Sequence, residues 1–371
     1  MTTFKTENRH GYSVKFSPNR SNLLAIATSQ YYGFKGGGTL FLVSYDEDRC
    51  LISKKHEMHW DDGLFDVVWS RSVYSLLVTG SGDGTVQMWN YKYPQKPVRT
   101  FHEHKKEVCG VDWCQNSIDD FLLSASWDCS VKLWDPNKYC SLTTYKGHDR
   151  LVYEAKWSPF LSSCFASVSG DGMLDIWDCS SPLRPSVKIN AHQAEILSCS
   201  WNQFYPFVLA TGGAEGLIRI WDIRKLLTPI FQLEVGIHKR CNIRRDKTRI
   251  RHFGQQSFER VRFFFLPIAG LPGRCEASSV FASSLVRFGF GVIRLHDKVQ
   301  KNYILFIFFI RQYYNNNNKK FIVIWDYGVS SEPSQSHQNH SDYVYGLDMS
   351  ADRDGLMADC GWDAEARVFR V

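Results

Sequence analysis

Histidine, a hydroxyl residue and an acid recur together in this chain: His104 with Ser124 and Asp128, His148 with Ser167 and Asp171, His192 with Thr211 and Glu215. One such set could run acyl transfer, the hydroxyl attacking, the imidazole taking its proton and the carboxylate orienting the imidazole. The spacing argues against that chemistry. A tryptophan followed by Asp or Asn recurs at Trp89, Trp134, Trp177, Trp221 and Trp325, with Phe369 in the last place, at gaps of 45, 43, 44, 104 and 44. A histidine lies 29 or 30 residues before five of them, at His59, His104, His148, His192 and His340. An acid lies six residues before the same five, at Asp83, Asp128, Asp171, Glu215 and Asp363. Four residues before each acid stands a hydroxyl, at Thr79, Ser124, Ser167 and Thr211, replaced by Asp359 at the end. A set repeated in register is a structural device. It can form a buried relay from indole N–H through hydroxyl and imidazole to carboxylate, with each polar group satisfying another.

The text between these markers alternates with period two, as in Val86-Gln87-Met88-Trp89 and Val131-Lys132-Leu133-Trp134, and turns of Gly, Asp and Ser separate the runs. A fifth marker, Phe16, Trp69, Trp113, Trp157 and Trp201 with Met349 last, closes one of these short strands in each unit. Units of about 44 residues with four strands and a closing Trp-Asp resemble the WD-repeat family, whose units are blades of a β-propeller. The resemblance covers 1–237 and 321–371. It implies an all-β fold, a seven-bladed WD-repeat β-propeller forming a single domain over 1–371, with units near 1–50, 51–95, 96–140, 141–184, 185–233, 234–328 and 329–371. The chain stops two residues after Phe369, so the last unit lacks an outer strand. Thr2 to Glu7 is expected to supply it and close the ring.

Blade six is interrupted. From His238 to Trp325 the spacing is 87 where the other units need 29 or 30. Residues 238–320 carry 17 Lys and Arg against 4 Asp and Glu, leaving 27 basic and 34 acidic residues elsewhere. The stretch 298–320 is rich in Lys, Asn, Ile, Phe and Tyr, including Asn315 to Asn318, which are encoded by AT-rich codons. It reads either as an atypical basic insertion for an acidic partner or as translated non-coding or frameshifted sequence. Outside it the chain is mildly acidic, which points to a basic ligand and away from nucleic acid. The opening residues are polar and the longest apolar run is Tyr303 to Ile310, so neither secretion nor membrane insertion is expected. Eleven scattered cysteines without a Cys-x-x-Cys pair fit a reducing compartment. No phosphate-cradling loop or metal-ligand cluster stands out, so no catalysis, cofactor or metal is expected.

The loops entering each inner strand and the turns joining second to third strands converge on one face. Position three after each histidine falls there, at Asp62, Glu107, Leu151, Glu195 and Tyr343, and position five adds Leu64, Cys109, Tyr153, Leu197 and Tyr345. The residues before two of the turn acids are Trp127 and Trp362. Clustered carboxylates hold a guanidinium and aromatic walls bury aliphatic groups, so this rim suits a short peptide with Arg and Leu-like anchors.

The wording of individual units resembles one family more closely. The stretches are Gly11-Tyr12-Ser13-Val14-Lys15-Phe16-Ser17-Pro18, Phe165-Ala166-Ser167-Val168-Ser169-Gly170-Asp171-Gly172, Ala191-His192-Gln193-Ala194-Glu195-Ile196-Leu197-Ser198-Cys199 and Ala358-Asp359-Cys360-Gly361-Trp362-Asp363. They are similar to the receptors for the type 2 peroxisomal targeting signal, the seventh peroxins. That resemblance implies a cytoplasmic receptor cycling to the peroxisome and its matrix. Such a receptor binds cargo proteins bearing an N-terminal signal of pattern Arg-Leu-x5-His-Leu and works with a co-receptor of the fifth-peroxin type and docking-complex peroxins. It implies Glu107 and Glu195, with Asp62 and Asp149 as weaker candidates, for the signal's Arg, and Trp127, Tyr153, Tyr343 and Trp362 for its aliphatic anchors. A competing reading comes from Trp221-Asp222-Ile223-Arg224, which fits the Trp-Asp-x-Arg element of substrate adaptors of cullin-RING ubiquitin ligases.

Overall fold

The strand Leu122–Ser126, Leu-Leu-Ser-Ala-Ser, is buried along its whole length, whereas Ser141–Tyr145 two strands outward is half exposed. A strand packed on both faces needs apolar or small residues at every position, and an outer strand needs them only in alternation. The same gradient recurs through the chain and fixes the architecture. The computed structural model describes residues 1–114, 120–203, 205–225, 228–234, 295–296, 303–308, 321–326, 333–353 and 355–371. The basic stretch 238–320 lies almost wholly outside these residues.

Six four-stranded antiparallel sheets are stacked face to face as the blades of an all-β propeller. Blade one is His10–Ser17, Arg20–Ser29, Gly38–Asp46 and Leu51–Trp60; blades two to five begin with the inner strands Leu64–Trp69, Val108–Trp113, Val152–Trp157 and Ile196–Trp201. The closing blade contains Val344–Met349, Leu356–Gly361 and Glu365–Arg370. Its fourth strand is Thr2–Lys5, paired from Thr2 with Val368 to Lys5 with Glu365, as expected from the chain's end. The sequence units are offset from the blades: Leu51–Trp60, which opens the second unit, is the outer strand of blade one. A further sheet is formed by Leu295–His296, Tyr303–Phe308, Phe321–Asp326 and Pro333–His337, and Ile322 and Ile324 from it pack with Val344, Leu347 and Phe369 of the closing blade. No α-helix occurs among the described residues, and none of their helices is long and apolar enough to cross a membrane.

The core is a series of layers between blades. Val78, Val86, Met88 and Phe101 of blade two meet Val111, Trp113, Leu122 and Trp134 of blade three. Ala166, Leu174 and Ile176 of blade four meet Ile196, Trp201 and Leu209 of blade five. The relay joins these layers at one end. His104 follows the outer strand of blade two, yet its Nε2 is 2.7 Å from Ser124 Oγ and its Nδ1 2.8 Å from Asp128 Oδ2, both in blade three, while Trp134 Nε1 donates to Ser124 Oγ at 2.8 Å. His148 with Ser167 and Asp171, and His192 with Thr211 and Glu215, repeat the pattern.

Blade two departs from it. His59 is exposed and sits 3.1 Å from Thr39 in blade one, while Trp60 takes its place, donating Nε1–H to Asp83 Oδ2 at 2.9 Å. Thr79, which still accepts from Trp89, is bonded by the Gln87 amide at 2.7 Å instead of by an imidazole.

A second set of ties, not foreseen from the repeat, lines the axis. Asp348 accepts from Phe16 N–H at 2.8 Å, Asp66 from Val111 at 3.0 Å, Asp112 from Trp157 at 2.8 Å and Glu154 from Cys199 at 2.8 Å. Each carboxylate reaches from one inner strand to the next and satisfies a backbone donor that the four-stranded sheet leaves over. The inner strands enclose an axial cavity of about 330 Å³ at the end marked by Phe16, Trp69, Trp113, Trp157, Trp201 and Met349.

Candidate functional site

At its entrance the inner strand of each of the six blades carries a β-bulge, where pairing with the second strand slips by one residue: between Gly11 and Ser13, Leu64 and Asp66, Val108 and Gly110, Val152 and Glu154, Ile196 and Ser198, Val344 and Gly346. A bulge re-aims the extra residue. The skipped residues are Tyr12, Phe65, Cys109, Tyr153, Leu197 and Tyr345, one from each blade around the axis. Tyr12 touches both neighbours, its ring 5.0 Å from Phe65 and 4.7 Å from Tyr345. One half of this ring is therefore a continuous aromatic surface.

Trp362 stands at the centre of that half. Its ring lies 5.7 Å from Tyr345 in parallel stacking, 5.5 Å from Tyr343 and 5.3 Å from Tyr32, both edge-on. His10 is 2.6 Å from the Trp362 carbonyl through Nδ1 and stacks on Tyr32 at 3.8 Å. Tyr12 Oη donates to the Tyr32 carbonyl at 2.7 Å, which fixes the turn carrying Tyr32 against the ring. The indole N–H of Trp362 is buried with no hydrogen-bond acceptor among the described residues.

Carboxylates gather elsewhere on the rim. Asp62 accepts from Gly63 N–H at 2.6 Å and lies against Gly82. Burial, with Asp83 and Glu107 adding like charge, raises its pKa above the ordinary aspartate value despite that hydrogen bond. Asp62, Asp83 and Glu107 are thus one negative corner, and a cation placed there would relieve their repulsion. Glu107 also receives Trp127 N–H on its backbone carbonyl at 3.0 Å. Farther round, Tyr153 Oη donates to Glu195 Oε2 at 2.9 Å, and Gly170 leaves the space beside both side chains.

Of the eight candidates, Tyr343 packs on Trp362, Tyr153 donates to Glu195, Trp127 donates its backbone N–H to the Glu107 carbonyl, and Glu107 acts on Asp62 only through its charge. Asp149 is exposed and is tied to Asp171 through its own N–H at 3.1 Å. In the unit headed by His59 the positions move by one. Gly63 makes the carbonyl contact to the next turn that Glu107, Leu151, Glu195 and Tyr343 make elsewhere, and Phe65, not Leu64, is the bulged residue. Sequence reasoning missed His10, Tyr12, Tyr32 and Phe65. Taking Trp60 as the marker would have found Phe65; Tyr32 sits on a turn peculiar to blade one and has no counterpart to align. In the Trp-Asp-x-Arg element, Asp222 pairs with Arg224 itself, Oδ2 to Nη2 at 2.7 Å and Oδ1 to Nε at 2.9 Å, and the guanidinium lies 4.6 Å over Phe207.

Comparison with known proteins bears on this arrangement. The WD domain, G-beta repeat model matches residues 54–90, 95–135, 139–178 and 183–222. The human peroxisomal targeting signal 2 receptor is 43% identical over 163 residues, covering 44% of this chain and 50% of its own. The mouse receptor is 42% identical over 165 residues, 44% of this chain and 51% of its own, and that of Saccharomyces cerevisiae 31% identical over 209 residues, 49% and 55%. Over these stretches the chain is similar to WD-repeat proteins and to these receptors. It spans about half the length of the curated relatives it matches. The rim of carboxylates and aromatics is the candidate ligand surface of this chain.

Proposed function

We propose that this protein is a receptor for the type 2 peroxisomal targeting signal, a binding protein and not an enzyme. In this reading the signal lies across the rim as an amphipathic helix, its Arg at the Asp62, Asp83 and Glu107 corner and its aliphatic side chains on the aromatic half around Trp362. Glu195, Trp127, Tyr153 and Tyr343 line the rest of the path, and Asp149 adds negative potential at its edge. The observation that carries this reading is the division of one rim into a self-repelling acidic corner and a continuous aromatic wall. A peptide with a guanidinium at one end and Leu-like groups along one side answers both demands. Cargo bearing such a signal would then be handed, with a co-receptor of the fifth-peroxin type, to docking-complex peroxins, the receptor moving between cytoplasm and peroxisome. We further infer that 1–371 is one seven-bladed ring, the sheet with Phe321–Asp326 being blade six and 238–320 an interruption of it.

Fluorescence anisotropy with a labelled Arg-Leu-x5-His-Leu peptide tests the assignment. Glu107→Lys and Glu195→Lys should each weaken binding about tenfold or more while leaving thermal stability nearly intact. Equal affinity of wild type and the double variant, or no binding by folded wild type at any salt concentration, would overturn it.

A further inference from the structure

Blades two to five show their exposed large apolar side chains on one face, and it is the face opposite the rim. Apart from Leu142, these side chains sit on the loops joining first to second or third to fourth strands, among them Tyr93, Tyr139, Phe160, Leu183 and Tyr205. Tyr139 is 83% exposed and Leu183 93%. In antiparallel sheets those two kinds of loop share an end, and hydrogen bonds tie them across blades: Arg99 Nη1 donates to the Lys138 carbonyl at 2.8 Å, and Ser72 Oγ to Asp120 Oδ2 at 2.9 Å. Exposed apolar groups concentrated on one face of a soluble domain mark an interaction surface.

The charge on these loops selects the partner. Lys92 Nζ lies 4.7 Å over the Tyr74 ring and Arg99 4.4 Å over Tyr139, so cation and aromatic form joint platforms. Lys96 and Arg184 are exposed and make no hydrogen bond or ion pair among the described residues. The acids nearby are engaged: Asp178 accepts from Ser180 N–H at 2.8 Å and its hydroxyl at 2.7 Å, and Asp222 is held by Arg224. Eight prolines, from Pro94 to Pro229, stiffen these loops, so little entropy remains to be lost on binding.

We propose that this basic, aromatic face of blades two to five docks an acidic segment of a partner protein that carries aromatic or leucine-like anchors. A bilayer fits less well. Asp135, Asp178 and Asp222 are interspersed among the cations, and a uniformly anionic plane would oppose them, whereas a peptide can place its charges between. The rim is on the other face, so this inference does not rest on the ligand assigned there.

Random peptides displayed on phage, selected on the full-length protein and counter-selected on the variant Lys96→Glu/Arg184→Glu/Tyr139→Ala, provide the test. The enriched peptides should carry net negative charge with at least one aromatic or leucine, and a synthetic copy should bind the variant about tenfold or more weakly than wild type. Melting temperature reports whether the variant is folded; Arg184→Glu alone and a salt titration, which should weaken binding, give the same reading if the triple variant is not. Peptides that are neutral or basic, peptides that bind wild type and variant equally, or a failure to enrich any would overturn the proposal. So would co-sedimentation with phosphatidylserine vesicles that the same substitutions abolish, which would make the face a membrane contact.

Discussion

His340 Nε2 lies 2.9 Å from Asp359 Oδ1, at the point where the imidazoles of His104, His148 and His192 meet a hydroxyl. Its Nδ1 is 2.8 Å from Asp363, so one buried ring stands between two carboxylates. The neighbouring substitution is consistent with this, because Phe369 replaces the tryptophan whose indole N–H would need a hydroxyl acceptor. Burial opposes a charge on the ring, but Asp359 and Asp363 outweigh it and raise its pKa to about 9.

A pH dependence of stability follows. The folded state binds the His340 proton more tightly than the unfolded chain, whose value is 6.5, so the stabilisation is complete below about pH 6.5 and is lost as pH rises through 9. Urea unfolding across that range should show a loss of about 3 kcal/mol. Asp359→Ser, which restores the hydroxyl of the other blades, should flatten the profile; an unchanged slope in that variant would remove His340 as its source.

Asp175 presents the opposite case. Both of its carboxylate oxygens are buried without a hydrogen-bond partner among the described residues, and burial pushes its pKa up to about 6, with the charges of His148 and Lys188 only partly offsetting it. An acid whose folded pKa is raised costs stability once both states are ionised, and the cost disappears as pH falls through 6 toward its ordinary value of 3.8. Asp175→Asn should therefore stabilise the protein at neutral pH by about 1–3 kcal/mol. That gain should be absent in acid, and a destabilised variant at pH 7 would contradict it.

The strand Thr2–Lys5 supplies the outer edge of the closing blade, and Phe4 packs edge-on against Phe41 of blade one at 5.7 Å. Removing residues 1–7 unpairs the last strand and uncovers that contact. The melting temperature should fall by roughly 5 °C or more, and Phe4→Ala should reproduce part of the loss. An unchanged melting curve for the truncated chain would show that the strap does not hold the ring.

The turns between second and third strands need a residue with positive φ. Gly172 supplies it at 77°, and a Cβ there would stand 2.4 Å from the His192 carbonyl oxygen. Cys129 and Ala364 occupy the same position at 68° and 61°, each two residues after a rim tryptophan. Gly172→Ala should destabilise by more than about 1 kcal/mol, and Ala364→Gly should stabilise by roughly 0.5–1 kcal/mol. Chemical denaturation of the two single variants decides both.

Trp-Asp spacing, the His, hydroxyl and acid register and the two-residue alternation were sufficient to specify stacked four-stranded sheets, a buried relay and a borrowed first strand, but the relay was expected within one blade and the structure runs it from the end of one blade into the next. These features rest on local periodicity repeated many times, and repetition makes a weak pattern legible. Glu107, Glu195, Tyr343 and Trp362 could be assigned to one rim because each occupies a repeated position. Other relationships needed the tertiary structure. The exchange of His59 for Trp60, the bulges that turn Tyr12 and Phe65 toward the axis, the edge-on contact of Trp362 with Tyr32, and the carboxylates passed between inner strands all join residues from different sheets or shift register by one. No spacing along a single repeat encodes such contacts, because they are decided by how neighbouring blades satisfy each other's donors and fill each other's space.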